Sequence, residues 1–269
     1  MAERVFDRDV FLAALATDVL GRSLVERAST GSTNDDAWDA LAAGGADGLV
    51  VIAAEQVSGR GRAGRTWTHA PGQGLAMSVG LRLGAEAAHA SLLPVAAGLA
   101  VAEALASLGA DARLKWPNDV LVGGRKIAGV LCEMRRLGSG DAVVAGIGVD
   151  VRQRAEDFPP ELRGLATSLV LAGIDASVEH VAARTLNALE RLRARLAAGD
   201  RDAVLAGWSA RAAFWGETVT VRAPGGDVTG VATRLDDSGA LVLRLESGAE
   251  RTVLAGDLLA DGAPAAEAR

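Results

Sequence analysis

The sequence predicts an α+β protein, with a mixed α/β domain over residues 1–214, a small β-barrel over residues 215–261, and a disordered tail over 262–269. Two observations carry this reading. Up to about Trp215, apolar runs with helical spacing alternate with shorter runs of strand character; from Thr218 to Val253 only short alternating runs remain, parted by glycine-containing turns. The length of 269 residues also suits one large domain plus a small one, and with aromatics at 3% and no Tyr the core has to be built from Ala, Val and Leu.

The elements follow in order. Val10, Phe11, Leu15 and Val19 stand at helical spacing between Asp7 and Leu20, with Gly21 as a stop, which predicts a first helix. Ser32-Thr33-Asn34-Asp35-Asp36 offers a hydroxyl cap and then acids in the first turn, where the helix dipole favours them, and Gly44-Gly45 ends this short second helix. Leu49 to Ala54 and Leu75 to Leu83 read as strands, and the Gly/Arg-rich stretch between them is too poor in apolar residues to be anything but a loop. Ser91 to Leu108 is an Ala/Leu/Val-rich helix closed by Gly109. Arg113 to Trp116, Val120 to Val122, Lys126 to Met134 and Val143 to Val149 follow as strands, with turns at Pro117-Asn118-Asp119 and Gly123-Gly124. Ser177 to Ala198 is a long amphipathic helix with Val178, Val181, Leu186, Leu189, Leu192 and Leu196 on one face. Thr218 to Arg222, Val228 to Leu235, Ala240 to Leu245 and Arg251 to Leu254 are the strands of the terminal barrel.

Composition narrows the function. A net charge of -6 argues against a protein that wraps nucleic acid, which needs a basic surface to displace counterions. The single cysteine, Cys132, allows no internal disulfide, and His69, His89 and His180 are too scattered for a metal site. Met1 to Asp9 carries mixed charge without the apolar stretch of a signal peptide, and no stretch approaches the ~18 uninterrupted apolar residues of a membrane span. The expectation is a cytoplasmic protein that needs no membrane.

Three segments carry chemistry. Gly59-Arg60-Gly61-Arg62-Ala63-Gly64-Arg65-Thr66-Trp67 matches GxGxxG over its first six residues, but Thr68-His69-Ala70-Pro71-Gly72 follows where a dinucleotide-binding turn requires a helix. Its glycines allow close backbone approach to an anion, Arg60, Arg62 and Arg65 supply fixed charge, and Trp67 supplies a stacking face. A solvated loop around a core Trp satisfies the same composition. In Lys115-Trp116-Pro117-Asn118-Asp119 the residues suit a tight turn; equally, the Asn118 amide can pair with a purine edge and Asp119 can hold magnesium. A period of two from Lys126 to Glu133 places Lys126 on the face of Ala128, Val130 and Cys132, where its ammonium needs an anionic partner or an escape to water. Gly146-Ile147-Gly148 lacks side chains at two same-face positions, as either a ligand lying on the sheet or close packing would require.

In this order, Ser32-Thr33-Asn34, Gln56, Gly59 to Trp67, Lys115 to Asp119, Lys126 to Gly129 and Gly146 to Gly148 make the chain resemble biotin protein ligases, in the short form without an N-terminal DNA-binding domain. The resemblance implies a class II synthetase-like mixed-sheet catalytic domain followed by an SH3-like barrel, and with about thirty residues before Ser32 it implies no DNA binding. It further implies that Ser32, Thr33, Asn34, Gln56, Arg60, Gly61, Arg62, Lys126 and Gly146 contact biotin, and that Arg62, Arg65, Trp67, Asn118, Lys126 and Asp150 contact the nucleotide. Lys126, Arg62, Arg65 and Asp119 would act in catalysis, with Asp119 also the candidate for the metal. One position departs from the family, which usually reads Gly-x-Gly-x-Asn where this chain has Gly146-Ile147-Gly148-Val149-Asp150. A carboxylate there accepts but cannot donate as an amide does.

The implied reaction joins biotin and ATP, with magnesium, into biotinyl-5'-AMP and pyrophosphate, then transfers biotin to a lysine of a biotin carboxyl carrier domain. The alternatives are a lipoate or octanoate ligase using the same adenylate logic, or a non-catalytic binder of biotin or its adenylate.

Overall fold

The computed structural model describes residues 6–138 and 140–259. The tail from 262 lies outside them. Five α-helices and twelve strands are present among these residues, and the strands form two sheets.

The first helix, α1 (Arg8–Ala14), is capped by the Asp7 carboxylate, which accepts from the backbone N–H groups of Asp9 and Val10. It stops well short of Leu20, because the cap at Leu15 is extended; the following residues form a turn in which Thr17 and Leu20 are buried and Val19 is exposed. The apolar spacing that continues to Val19 therefore marks contacts and not helix. The next segment, β1 (Leu24–Thr30), is a strand that the sequence reading passes over, since Glu26, Arg27 and Ser29 break any alternation. It lies at a sheet edge and pairs in parallel with β2 (Leu49–Gln56). Between them runs α2 (Thr33–Ala42), as predicted; Ser32 occupies its cap position, but its hydroxyl makes no capping bond.

The large sheet is completed by β3 (Gly74–Arg82), β4 (Ala112–Lys115), β5 (Asp119–Val122), β6 (Arg125–Leu137) and β7 (Gly140–Asp150) in the order β1-β2-β3-β7-β6-β5-β4. Apart from β1 with β2, neighbours are antiparallel. Gly123 and Gly124, both at positive φ, make the two-residue turn between β5 and β6, a conformation that favours glycine at both positions. The α-helices α3 (Leu93–Ser107) and α4 (Val178–Ala197) cover one face of the sheet and share its main core with Leu75, Met77, Val79 and Leu81 of β3 and Val143, Ile147 and Val149 of β7. Together with the 3-10 turn before it, α3 forms a stretch from Ala85 to Ser107 long and apolar enough by composition to cross a membrane, and its apolar character is accounted for by burial in this core. A further helix, α5 (Arg201–Ser209), was not anticipated; it inserts Val204 and Trp208 beneath α3.

The opposite face is divided. Toward one end α2 packs Ala37, Trp38 and Leu41 on Leu49, Val51 and Val144. Toward the other, the residues that alternate with the core set are small: Gly74, Ala76, Ser78 and Gly80 on β3 register with Asp150, Gly148, Gly146 and Val144 on β7. Groups from outside the sheet pack on this strip, and its Gly146, Gly148 and Asp150 form the floor of a large cavity.

After Trp215 the chain forms β8 (Thr218–Ala223), β9 (Gly226–Leu235), β10 (Leu241–Arg244), β11 (Glu250–Val253) and β12 (Asp257–Leu259), an antiparallel sheet in the order β11-β10-β9-β8-β12. Four of these strands match the predicted runs; β12, three residues long, is the addition. The small sheet abuts the large domain, where Trp116, 4% exposed, donates from Nε1 to the carbonyl of Gly239 at 3.2 Å.

Candidate active site

A cavity of about 360 Å³ lies over the small-residue strip, and all fourteen residues singled out from the sequence line it: Ser32, Thr33, Asn34, Gln56, Arg60, Gly61, Arg62, Arg65, Trp67, Asn118, Asp119, Lys126, Gly146 and Asp150. They arrive from six segments of the chain, so the fold and not the sequence makes them neighbours.

One end is neutral and polar. The start of α2 places Thr33 and Asn34 in a nearly closed network: the Thr33 backbone N–H donates to Gln56 Oε1 at 2.8 Å, and the Thr33 hydroxyl lies 3.0 Å from the same oxygen. Ser78 Oγ stands 2.7 Å from Thr33 Oγ1 and 2.6 Å from Asn34 Oδ1, while Asn34 Nδ2 donates to Glu133 Oε2 at 3.0 Å. Ser32, Thr33, Asn34 and Ser78 are all buried, so amides and hydroxyls here are fixed rather than solvated. Gly146 is a packing necessity, since a Cβ on it would sit 2.3 Å from Asn34 Oδ1.

The other end is cationic. Lys126 does not follow the period of two. Strand β6 bulges, with Val120 opposite Ala128 but Leu121 opposite Lys126, so that Ile127 and Ala128 are both fully buried and Lys126 changes face. Its Cε and Nζ stand 3.4 Å from where a Cβ on Gly129 would be, on the cavity side, instead of beside Ala128, Val130 and Cys132. There Nζ pairs with Asp119 Oδ1 at 2.6 Å and lies 5.8 Å from the centroid of the Trp67 ring. Cys132 stays on the core side, where burial pushes its thiol up to about 12.

The Gly/Arg loop covers the cavity. Its ends are tied by backbone bonds from Trp67 N–H to Gly59 O and from Gly61 N–H to Arg65 O, and Ala63 and Gly64 turn at positive φ between them. Trp67 lies flat on the floor: a Cβ at Gly148 would be 2.3 Å from its Cε2, and its Nε1 is buried without a partner. Arg60 is bidentate to Asp35, at 2.6 and 2.7 Å, with Glu133 at 3.9 Å; the Arg60 bond holds the Asp35 carboxyl below its ordinary range. Arg65 reaches across to Asp257 of β12 at 2.7 Å. Arg62 has no carboxylate within 4.0 Å among the described residues, and burial pushes its guanidinium down. Asp257 and Asp119 act on it only from beyond that distance, and a half-buried cation so weakly answered is a place for an anion.

Asn118 turns its amide inward, Nδ2 donating to Val130 O at 2.8 Å, which leaves its carbonyl for the cavity. Asp150, 4% exposed, accepts from Gln153 Nε2 at 2.5 Å; burial raises its carboxyl well above the ordinary range against the opposing pull of Lys126. No group of three or more His, Cys, Asp or Glu among the described residues is arranged to hold a metal, and Asp119 is occupied by Lys126.

Sequence reasoning missed the cavity's outer wall, made by Phe158, Leu162, Leu165 and Ala166. These come from the connection after β7, which folds back so that the Lys126 N–H donates to Leu165 O and the Thr167 N–H to Lys126 O. Two short 3-10 turns with no period give no signal of that; only the Phe158-Pro159-Pro160 run hints at a shaped segment.

Known proteins share this fold. Residues 28–150 match the biotin/lipoate A/B protein ligase family, and residues 214–258 match the biotin protein ligase C-terminal domain. The chain is 40% identical to the biotin–acetyl-CoA-carboxylase ligase of Mycobacterium tuberculosis, over 88% of this chain and 89% of that one. It is 37% identical to the enzyme of the same name from Paracoccus denitrificans, over 82% and 94%. Among solved structures, the biotin protein ligase of Aquifex aeolicus in complex with biotin and ATP superposes with a TM-score of 0.74 at 27% identity, covering 88% of this chain and 98% of that one. The seven-stranded sheet is thus the expected synthetase-like catalytic domain and the five-stranded one the SH3-like module. On fold and sequence similarity alike, the chain belongs to the biotin protein ligase family.

Proposed function

We propose that the protein activates biotin with ATP as biotinyl-5'-AMP and transfers it to a lysine of a biotin carboxyl carrier domain in the cytoplasm. The observation that carries this reading is the polarity of one cavity: a neutral end of hydroxyls and amides, suited to a ureido ring, and a cationic end suited to a carboxylate meeting a phosphate. Thr33, Asn34, Gln56 and Ser78 keep this end polar, and a lipoyl or octanoyl chain has no donors or acceptors with which to exchange bonds there.

In the first step the biotin carboxylate attacks the α-phosphorus in line and pyrophosphate leaves, giving biotinyl-5'-AMP. Both reactants are anionic, and Lys126 and Arg62 bring them together and stabilise the charge that develops on phosphate. Lys126 exchanges Asp119 for phosphate as it does so. Magnesium bound to the ATP phosphates would supply further positive charge against them. The Gly59 to Trp67 loop, with Trp67 against the adenine and Arg65 toward phosphate, then keeps water from the mixed anhydride. In the second step the carrier lysine attacks the biotinyl carbonyl and expels AMP, for which it must first shed a proton from a group whose ordinary pKa is about 10.4. Asp119, released from Lys126, takes it; its carboxylate on the cavity wall supports this role.

The test is acid-dependent exchange of labelled pyrophosphate into ATP with biotin, lipoate and octanoate in parallel. Exchange with biotin alone is expected, and Lys126→Ala should slow it by about 100- to 1,000-fold. Exchange with lipoate or octanoate, or none with any acid, overturns the reading.

A further inference from the structure

Glu133 stands on β6 and does not line the cavity; it borders the adjoining recess, together with Leu131 and the Gly/Arg loop. One of its carboxylate oxygens, Oε2, accepts from Asn34 Nδ2 at 3.0 Å and from Trp38 Nε1 at 3.1 Å, both groups of α2. Arg60 and Arg135 come no closer than 3.9 and 4.0 Å, too far to compete for these bonds. An indole N–H can only donate and a carboxylate can only accept. Glu133 therefore leaves Asn34 one amide orientation, with Nδ2 toward the carboxylate and Oδ1 toward Ser78 and Gly146.

That orientation settles the protons behind it. Ser78 Oγ is 2.6 Å from Asn34 Oδ1 and 2.7 Å from Thr33 Oγ1, with one proton to share between them. The amide oxygen has none, so the Ser78 proton goes to Asn34. Two hydroxyl oxygens 2.7 Å apart need a proton between them, and it has to be the one on Thr33. Gln56 Oε1, 3.0 Å from Thr33 Oγ1, then keeps only the Thr33 backbone N–H, at 2.8 Å, as its donor. Thr33 Oγ1 is likewise left with its lone pairs open. Thr33 and Gln56 both line the cavity, which there offers acceptors, as the two N–H groups of a cyclic urea require. With the amide reversed, Nδ2 would donate to Ser78, Ser78 to Thr33 and Thr33 to Gln56, and both acceptors would be taken up within the protein.

We propose that Glu133 is a positioning residue for the cyclic urea: its carboxylate sets the direction of a hydrogen-bond relay through Asn34, Ser78 and Thr33, so that Thr33 and Gln56 present acceptors to the ligand's N–H groups. It does so from outside the cavity. This deepens the ligase reading, on which it rests for the identity of the acid, by tracing selectivity at the neutral end to a residue that does not touch the ligand.

Glu133 and Ser78 are bonded to each other only through Asn34, and that makes their coupling the test. Calorimetric titration with biotin compares wild type, Glu133→Gln, Glu133→Ala, Ser78→Ala and the double alanine variant. Glu133→Gln keeps an acceptor oxygen, which Trp38 Nε1 orients, and should bind biotin within about twofold of wild type. Glu133→Ala removes the acceptor and should bind about tenfold less tightly, while kcat for pyrophosphate exchange at saturating biotin changes by less than about twofold. Ser78→Ala breaks the relay in its middle, so the double variant should fall within about twofold of the weaker single variant. A loss passed through Arg60, or a general loosening of β6, would instead multiply with that of Ser78→Ala. A glutamine variant as weak as the alanine one, multiplying losses, or a kcat that falls as far as the affinity overturns the assignment. Melting temperatures run the same cycle without ligand: the double variant should lose less than the sum of the two single losses, and strict additivity overturns the relay as well. Wild type that binds no biotin would count against the ligase reading, and the ligand-free cycle would still judge the relay.

Discussion

Gly146→Ala tests whether the neutral end of the cavity is as rigid as its bonds imply. The backbone there is ordinary strand, so alanine by itself would stabilise by up to about 1 kcal/mol through the unfolded state. The added Cβ, however, falls 2.3 Å from Asn34 Oδ1, with Cγ at 3.1 Å and Nδ2 at 3.2 Å, so the whole amide must move. Moving it breaks the bonds to Ser78 at 2.6 Å and Glu133 at 3.0 Å, in a residue 3% exposed. Two buried groups left unmet cost about 2–5 kcal/mol together, which outweighs the gain. In a chain of this size that corresponds to a fall in Tm of roughly 5–15 °C, read by calorimetry or circular dichroism. The upshift in Tm that biotin gives wild type should shrink as well, because the site no longer prefers the native state by the same margin. The double variant with Asn34→Ala isolates the cause: once the amide is gone, Gly146→Ala should add little further loss. A Gly146→Ala protein as stable as wild type, or a double variant that loses the sum of the two, would refute the clash.

Other variants probe the cations and the pH response. Arg62→Gly should still form adenylate but release it, so rapid filtration should recover less enzyme-bound adenylate than in wild type, and equal retention would contradict a guarding role for the loop. Asp257→Ala removes the carboxylate that holds Arg65 in the ligand-free protein; with both groups well exposed it should change stability by less than about 1 kcal/mol. Its effect should appear in hydrogen exchange, as faster exchange of residues 59–67, and unchanged protection would argue that the pair does not position the loop. Glu190 gives a pH test. Burial pushes its carboxyl up, but bonds from the N–H groups of Leu20, Asp18 and Val19 outweigh this and hold it below its ordinary value. Its contribution is therefore present above the unfolded carboxylate range and lost as pH falls through the depressed value. Glu190→Gln should flatten the acid limb of the stability profile, and a limb as steep as wild type's would place the effect elsewhere.

How far the sequence reveals the site depends on which physical rule governs each residue. Lys126 was legible as a cation needing a partner, yet its face was not, because a bulge opposite Leu121 breaks the alternation on which the face assignment rests. Strand β1 was illegible because as an edge strand it buries little, and nothing in Leu24 to Thr30 alternates. The floor, by contrast, was written plainly: Gly74-Leu75-Ala76-Met77-Ser78-Val79-Gly80 alternates small with large, and Gly146-Ile147-Gly148 does the same on the strand that pairs with it. Two such strips in register mean a sheet with one face of large residues and one of small, and the small face leaves room for other groups to lie on it, as Asn34 does at Gly146 and Trp67 at Gly148. The wall from Phe158 to Ala166 lacked any such code, since its position depends on two backbone bonds with Lys126.

The carboxylates around the cavity explain how it can exist without its ligands. Collecting Arg60, Arg62, Arg65 and Lys126 around one partly dry space would repel and desolvate them if nothing answered their charge. Asp35, Asp257 and Asp119 answer for three of the four, each at 2.6 to 2.7 Å. An incoming carboxylate or phosphate thus meets paired cations, and binding exchanges one anion for another instead of neutralising a bare charge. Such exchange gives up net affinity for each pair, but it leaves the empty site folded with the cations already oriented. Arg62 alone has no carboxylate within 4.0 Å among the described residues and feels Asp257 and Asp119 only from farther off, so more of its electrostatic gain is left for the ligand. Of the four cations, it is therefore the one whose replacement should cost the largest share of phosphate affinity relative to its effect on stability, and Arg60 the one with the smallest share.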